Sequence, residues 1–151
     1  MKKLLVIGLI SSFFSAGAFA AACTATATTS PGGAKAAGAA TGGTAGTEQC
    51  VCDGGTAVKS TVNGGKGNTA TSPIFLQTGF DVQCSANTIV SYNEVSATGF
   101  AVSSGSKKGN QSFKGSSAGG GVAKHANCAA SGCIATDVTT AITQAALDSS
   151  S

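Results

Sequence analysis

From residue 21 to residue 49 the chain carries no Val, Ile, Leu, Met or aromatic side chain. The stretch is Ala, Thr and Gly with a few polar residues. Fixing a residue in one backbone conformation costs about 1–2 kcal/mol, and side chains this small bury too little surface to offset it. Residues 21–49 therefore read as a flexible arm. Folding falls to residues 50–151, which hold nine Val, four Ile, two Leu and four Phe, 19 of 102 residues or about 19%. That is close to the roughly one-fifth of large apolar residues found in self-sufficient cores.

The arm follows a different kind of segment. Met1, Lys2 and Lys3 form a cationic start, residues 4–14 are apolar apart from Gly8, Ser11 and Ser12, and Ala18-Phe19-Ala20 is an A-x-A cleavage pattern. Residues 1–20 read as a signal peptide. The apolar run is too short for a permanent membrane helix, and no later stretch supplies the 18 or so apolar residues a span needs. Cys23, after Ala20-Ala21-Ala22, could alternatively be a lipidated first residue. Ala20 stands where lipoprotein sites usually have Leu, and lipidation would leave an odd number of cysteines, so six cysteines in bridges is the preferred reading. The chain is expected to be exported through the periplasm to the cell surface or beyond.

With the leader removed, seven of the nine Lys remain against six acids, a net charge of +1, and there is no Arg. Nucleic-acid binders cluster Lys and Arg against phosphates, so that class is excluded. Catalytic equipment is sparse: there is no Trp, the only Met is Met1, Tyr92 is the single Tyr and His125 the single His.

Within residues 50–151, the segment 74–84 alternates, with Ile74, Leu76, Phe80, Val82 and Cys84 on one parity and Gln77, Asp81 and Gln83 on the other. That pattern predicts a half-buried strand opened by Pro73. Residues 88–95 and 97–104 predict two more, the second burying Phe100 and Val102. Residues 56–62 place Val58 and Val62 on one side and end at the turn signal Asn63-Gly64. Short strands are expected around Phe113 and Val122, joined by a Gly/Ser loop. Thr-Gly-Phe-x-Val occurs at 78–82 and at 98–102, too short a match to establish duplication. Near the end the period changes: Ile134, Val138, Ile142 and Ala146 recur every four residues, Ala141, Ala145 and Leu147 widen the stripe, and Thr136 or Asp137 can cap it. The predicted fold is mainly β, an antiparallel sheet or small sandwich of about five or six strands, stapled by disulfides, with one C-terminal helix packed across it.

The disulfide candidates are Cys23, Cys50, Cys52, Cys84, Cys128 and Cys133. In a regular strand Cys50 and Cys52 share a face, and a bond between them would close a strained ring, so each should pair elsewhere. Cys128 and Cys133 enclose a small-residue turn. If they pair, Cys23 joins either Cys50 or Cys52, and Cys84 joins the other. A metal site is the competing use, since Cys50-x-Cys52 and His125-x2-Cys128-x4-Cys133 offer soft ligands. Neither is a regular zinc spacing, and an exported chain meets oxidants first, so no metal is assigned.

No catalytic or cofactor-binding residue is assigned either. A Ser or Cys nucleophile would depend on His125, beside Lys124 in a Gly-rich stretch. Asp53, Asp81, Glu94, Asp137 and Asp148 are scattered, although Asp81 and Glu94 could meet across adjacent strands. Glycosidase chemistry would need aromatic platforms that the four Phe and one Tyr left outside the leader do not supply. Gly64-Gly65-Lys66-Gly67-Asn68 and Gly119-Gly120-Gly121 lack the phosphate-loop order and read as turns. The composition resembles that of secreted bacterial pilin-like and matrix proteins as a class. The expected function is a non-enzymatic structural subunit of a bacterial surface assembly that binds itself or another surface protein. The alternative is a small monomeric periplasmic or secreted binding module. Donor-strand exchange is disfavoured because residues 21–49 lack the large alternating side chains it uses. Side-by-side sheet contact or an exchanged Cys23 bond is the expected route instead.

Overall fold

The computed structural model describes residues 23, 46–55, 57–62, 75–129 and 131–150. The leader, most of the arm, and Asn63, Gly64, Pro73 and Ile74 lie outside the described residues. Seven strands and a helix follow in chain order: β1 (Gln49–Asp53), β2 (Val58–Val62), β3 (Phe80–Cys84), β4 (Thr88–Glu94), β5 (Phe100–Ser106), β6 (Gln111–Ser116), β7 (Ala123–Asn127) and α1 (Ala135–Asp148). The fold is mostly β, with a five-stranded antiparallel sheet in the order β1-β4-β5-β6-β7, a separate β2-β3 pair, one C-terminal helix and three disulfides.

Alternation along β4 and β5 assigns the two faces of the large sheet. Ile89, Ser91 and Asn93 on β4, with Ala101, Ser103 and Gly105 on β5, are on the side covered by α1. The helix buries Val138, Ala141, Ile142 and Ala145 there. The period-four stripe therefore faces the sheet only in its middle: Ile134 is 50% exposed and Leu147 61%. Gly105 sets the approach of the helix, since a Cβ there would lie 2.9 Å from Cys133 Cβ and 3.1 Å from Val138 Cγ2. The N-cap is Ile134. Asp137 acts from inside the first turn, accepting the Ile134 N–H at 2.9 Å, where its charge also faces the positive end of the helix dipole. At the other end Lys114 of β6 binds Asp148 at 2.6 Å.

On the opposite face, Tyr92, Val90, Phe100 and Val102 pack with Val51, Cys52, Val62, Val82 and Cys84, so the β2-β3 pair covers β1, β4 and part of β5. The strand expected over residues 74–84 is shorter than its alternation implied. Its ladder with β2 ends at the pair Val62↔Phe80, and among the described residues no rung precedes it. Val82 and Cys84 keep the inward parity, but Phe80, at the end of a two-stranded ladder, is 46% exposed and is not a central packing residue. Phe75 takes that role. Its ring stacks on Phe100 at 5.1 Å, Tyr92 stacks on Phe100 at 5.7 Å, and the Phe75 N–H donates to Glu94 Oε2 at 2.9 Å.

A bulge corrects the expectation that Cys50 and Cys52 share a face. Cys50 pairs with Ser91 and Cys52 with Val90, leaving Val51 as the extra residue. Two residues then oppose one, and the alternation resets by one position. Cys50 clusters on the helix side with Cys23, Ile89 and Val138, while Cys52 clusters on the other side with Cys84 and Tyr92.

Candidate functional site: a cleft beside the helix

The bulge decides the bridges. Cys23 bonds Cys50, Cys52 bonds Cys84, and Cys128 bonds Cys133. The first bridge ties the start of the arm to the helix side of β1, the second ties β1 to β3, and the third closes the loop before α1. With its Sγ bonded to Cys50, Cys23 carries neither a thioether-linked lipid nor an intersubunit bond in this structure. Cys128, Cys133 and Asp137 do gather their potential ligand atoms within 4.8 Å, but both sulfurs are already used in the disulfide. His125, on β7, is not part of that cluster.

Asp81 and Glu94, expected to be able to meet across adjacent strands, are not on adjacent strands. Asp81 is in the small sheet, where it binds Lys59 at 2.7 Å, and Glu94 ends β4 in the large one. Asp148 is held below the usual carboxylate range by its hydrogen bond from Lys114, with a second from Gln144. The Tyr92 hydroxyl is pushed up to about 12, first by burial and second by the negative charge of Glu94.

A cavity lies where the end of β4 and the residues entering β1 meet the second half of α1. It has a volume of about 410 Å³ and is lined by Glu48, Asn93, Val95, Thr139, Ile142 and Leu147, among others. The Gly46 N–H donates to the Glu94 carbonyl at 2.9 Å, which continues the β1-β4 pairing and sets Glu48 beneath the helix. Thr139 Oγ1 then donates to Glu48 Oε2 at 2.8 Å. Glu48 Oε1 and Asn93 Oδ1 are both buried with no hydrogen-bond partner among the described residues. Asn93 as a whole is only 7% exposed. Buried polar atoms are nearly always paired, so two orphaned acceptors in one largely apolar cleft mark a place suited to a hydrogen-bond donor. Sequence reasoning missed both residues. Glu48 is the last acid before β1, in the segment read as an arm, and Asn93 is an ordinary polar residue within a strand. The signal was the proximity of Glu48 to Cys50, which fixes where the chain enters the sheet.

A second surface lies on the face away from the helix. Beyond the β2-β3 pair, the half of the sheet built from β5, β6 and β7 leaves Phe113 38% exposed and Val122 69% exposed. Phe113 pairs with Ser104 on one side and Lys124 on the other, so it stands in the middle of this open half. No helix of the described residues is long and apolar enough to cross a membrane. Comparison with protein-family models, with curated proteins and with solved structures gives no match.

Proposed function

We propose that the chain is an exported, non-enzymatic structural subunit of a bacterial surface assembly, filamentous, pilus-like or matrix-forming, that associates with further copies of itself. The observation that carries this reading is the open half-sheet. In a chain with so few large side chains, Phe113 and Val122 on this half of the sheet remain exposed. Burying them against another subunit would recover about 25 cal/mol for each Å² of apolar surface removed from water. The three disulfides support it, because they suit an oxidising compartment and stiffen a lean domain. The N-terminal leader pattern supports export to such a compartment.

Open-ended strand addition is the less favoured mode of contact. β1 and β7 are the two edges of the large sheet, and both ladders at those edges are interrupted by a bulge. β7 also carries Lys124, and a bulge with a charged residue is how natural edge strands resist pairing. The cleft beside α1 favours the alternative, a monomeric binding module.

Sedimentation velocity of the oxidised chain and of Phe113→Lys separates the two. Association that grows with concentration in the parent and is lost in the variant is the expected result. A parent and variant that both sediment as monomers at every concentration would overturn it.

A further inference from the structure

The unpaired acceptors and an unpaired cation of this chain lie at opposite poles of the large sheet. β5 starts at Phe100, near the cleft, and ends at Ser106, where the Lys107-Lys108 tip turns into β6. α1 runs the other way, from Cys133 beside Gly105 to Ser149 beside Gly99. At about 3.3 Å per residue, a seven-residue strand separates the two poles by roughly 20 Å.

The tip is held firmly. The Cys133 N–H is shared between the Ser106 and Gly109 carbonyls at 2.9 and 3.0 Å, and the Gly109 N–H donates to Ser106 at 2.9 Å. A side chain at Gly132 would collide with the Lys107 carbonyl, so the disulfide loop is pressed against the tip. Lys107 folds back over Gly54, with its Cε 2.7 Å from where a Cβ would stand. Lys108 is exposed, and its Nζ has no ion-pair partner among the described residues.

We propose that the cleft receives the Lys108 side chain of a second copy, joining subunits head to tail. The proposal rests on the reading of the chain as an assembly subunit and adds a second contact to the one at the open half-sheet. An ammonium offers three N–H donors, enough to satisfy Glu48 Oε1 and Asn93 Oδ1 together. Glu48 and Asn93 both line the cleft, and Thr139 already holds the other carboxylate oxygen. The four-carbon stem lies along Ile142, Ala146 and Leu147, as lysine stems do on apolar surface while the charge finds its partner. Charge-assisted bonds in a desolvated cleft are stronger than exposed ones. Because donor and acceptor occupy opposite poles, the contact is heterologous: each subunit keeps a free tip and a free cleft, and the chain of subunits extends.

The test uses the full oxidised exported protein. Equal amounts of unlabelled and ¹⁵N-labelled chains are treated with a zero-length carbodiimide cross-linker and digested. A mixed-isotope peptide joining Glu48 to Lys108 is expected. Lys108→Ala and Glu48→Gln should each weaken association at least tenfold by sedimentation. The double variant Glu48→Lys with Lys108→Glu should restore it, and Lys59→Ala should associate like the parent. Butylammonium should compete with assembly. Polymers that form equally in Lys108→Ala and Glu48→Gln, with no such cross-link, would overturn this contact and leave the subunit reading standing. A parent that stays monomeric would overturn both, and butylammonium shifting the amide resonances of Thr139 and Leu147 in that monomer would assign the cleft to a small free amine.

Discussion

The chain contains one tyrosine, so its near-ultraviolet phenolate signal reports a single site in the core. Tyr92 is 6% exposed on β4, its ring stacked on Phe100 at 5.7 Å. Burial, and then the neighbouring Glu94 charge, push its hydroxyl from 10.0 up to about 12. At 1.36 kcal/mol per pKa unit, two units correspond to about 3 kcal/mol of folding stability linked to this proton. The sign follows from the direction. A group whose folded pKa lies above its unfolded value contributes fully below the unfolded pKa, and the contribution is lost as pH rises through the folded one. Stability should therefore fall between about pH 10 and pH 12. Absorbance titration of the folded chain should show little phenolate until that window closes, while the same titration in guanidinium should give an ordinary tyrosine. Glu94→Gln keeps an acceptor for the Phe75 N–H but removes the charge, so its midpoint should fall part of the way and remain above the denatured value. A native hydroxyl that ionises near pH 10, with folding intact, would refute the packing of β4 against the β2-β3 pair.

Two further outcomes separate the helix phase and the role of the bridges. Ile142→Ala removes a side chain that is 1% exposed and should cost about 3 kcal/mol, lowering the melting temperature by roughly 10–20 °C, whereas Leu147→Ala, at 61% exposure, should stay within about 0.5 kcal/mol; equal melts would put the helix in the wrong rotation. Replacing Cys52 and Cys84 together with Ala opens a loop of sequence separation 32 and should cost about 4 kcal/mol, against about 2 kcal/mol for Cys128 and Cys133 at separation 5, measured in denaturant melts. Peptide mapping without reductant should recover Cys23–Cys50 and Cys52–Cys84, and peptides linking Cys23 to Cys52 would contradict the bulge.

Local signals made most of the fold legible. The change from a period of two to a period near four located α1, β-branched and aromatic residues located β4 and β5, and Phe113 alone marked β6. Non-local facts were not legible. Alternation over residues 74–84 puts Phe80 on the inward parity but cannot reveal where the partner strand stops, and it is Phe75 that stacks in the core. The phase of Cys50 against Cys52 depends on one extra residue, Val51, opposite Val90, and nothing in Cys-Val-Cys announces a bulge. The stripe on α1 was correct in register but too generous at its ends, because periodicity does not report where the sheet beneath finishes. The cleft was the least legible feature. Glu48 and Thr139 are 91 residues apart, and only the pairing of β1 with β4 brings them together.

Self-association is tested most directly by static light scattering and electron microscopy of the purified oxidised chain over a wide concentration range, repeated after reduction. Extended polymers that grow with concentration and come apart when the disulfides are reduced are the expected result. A particle of one chain's mass, 14.4 kDa or less after loss of the leader, at every concentration would contradict it.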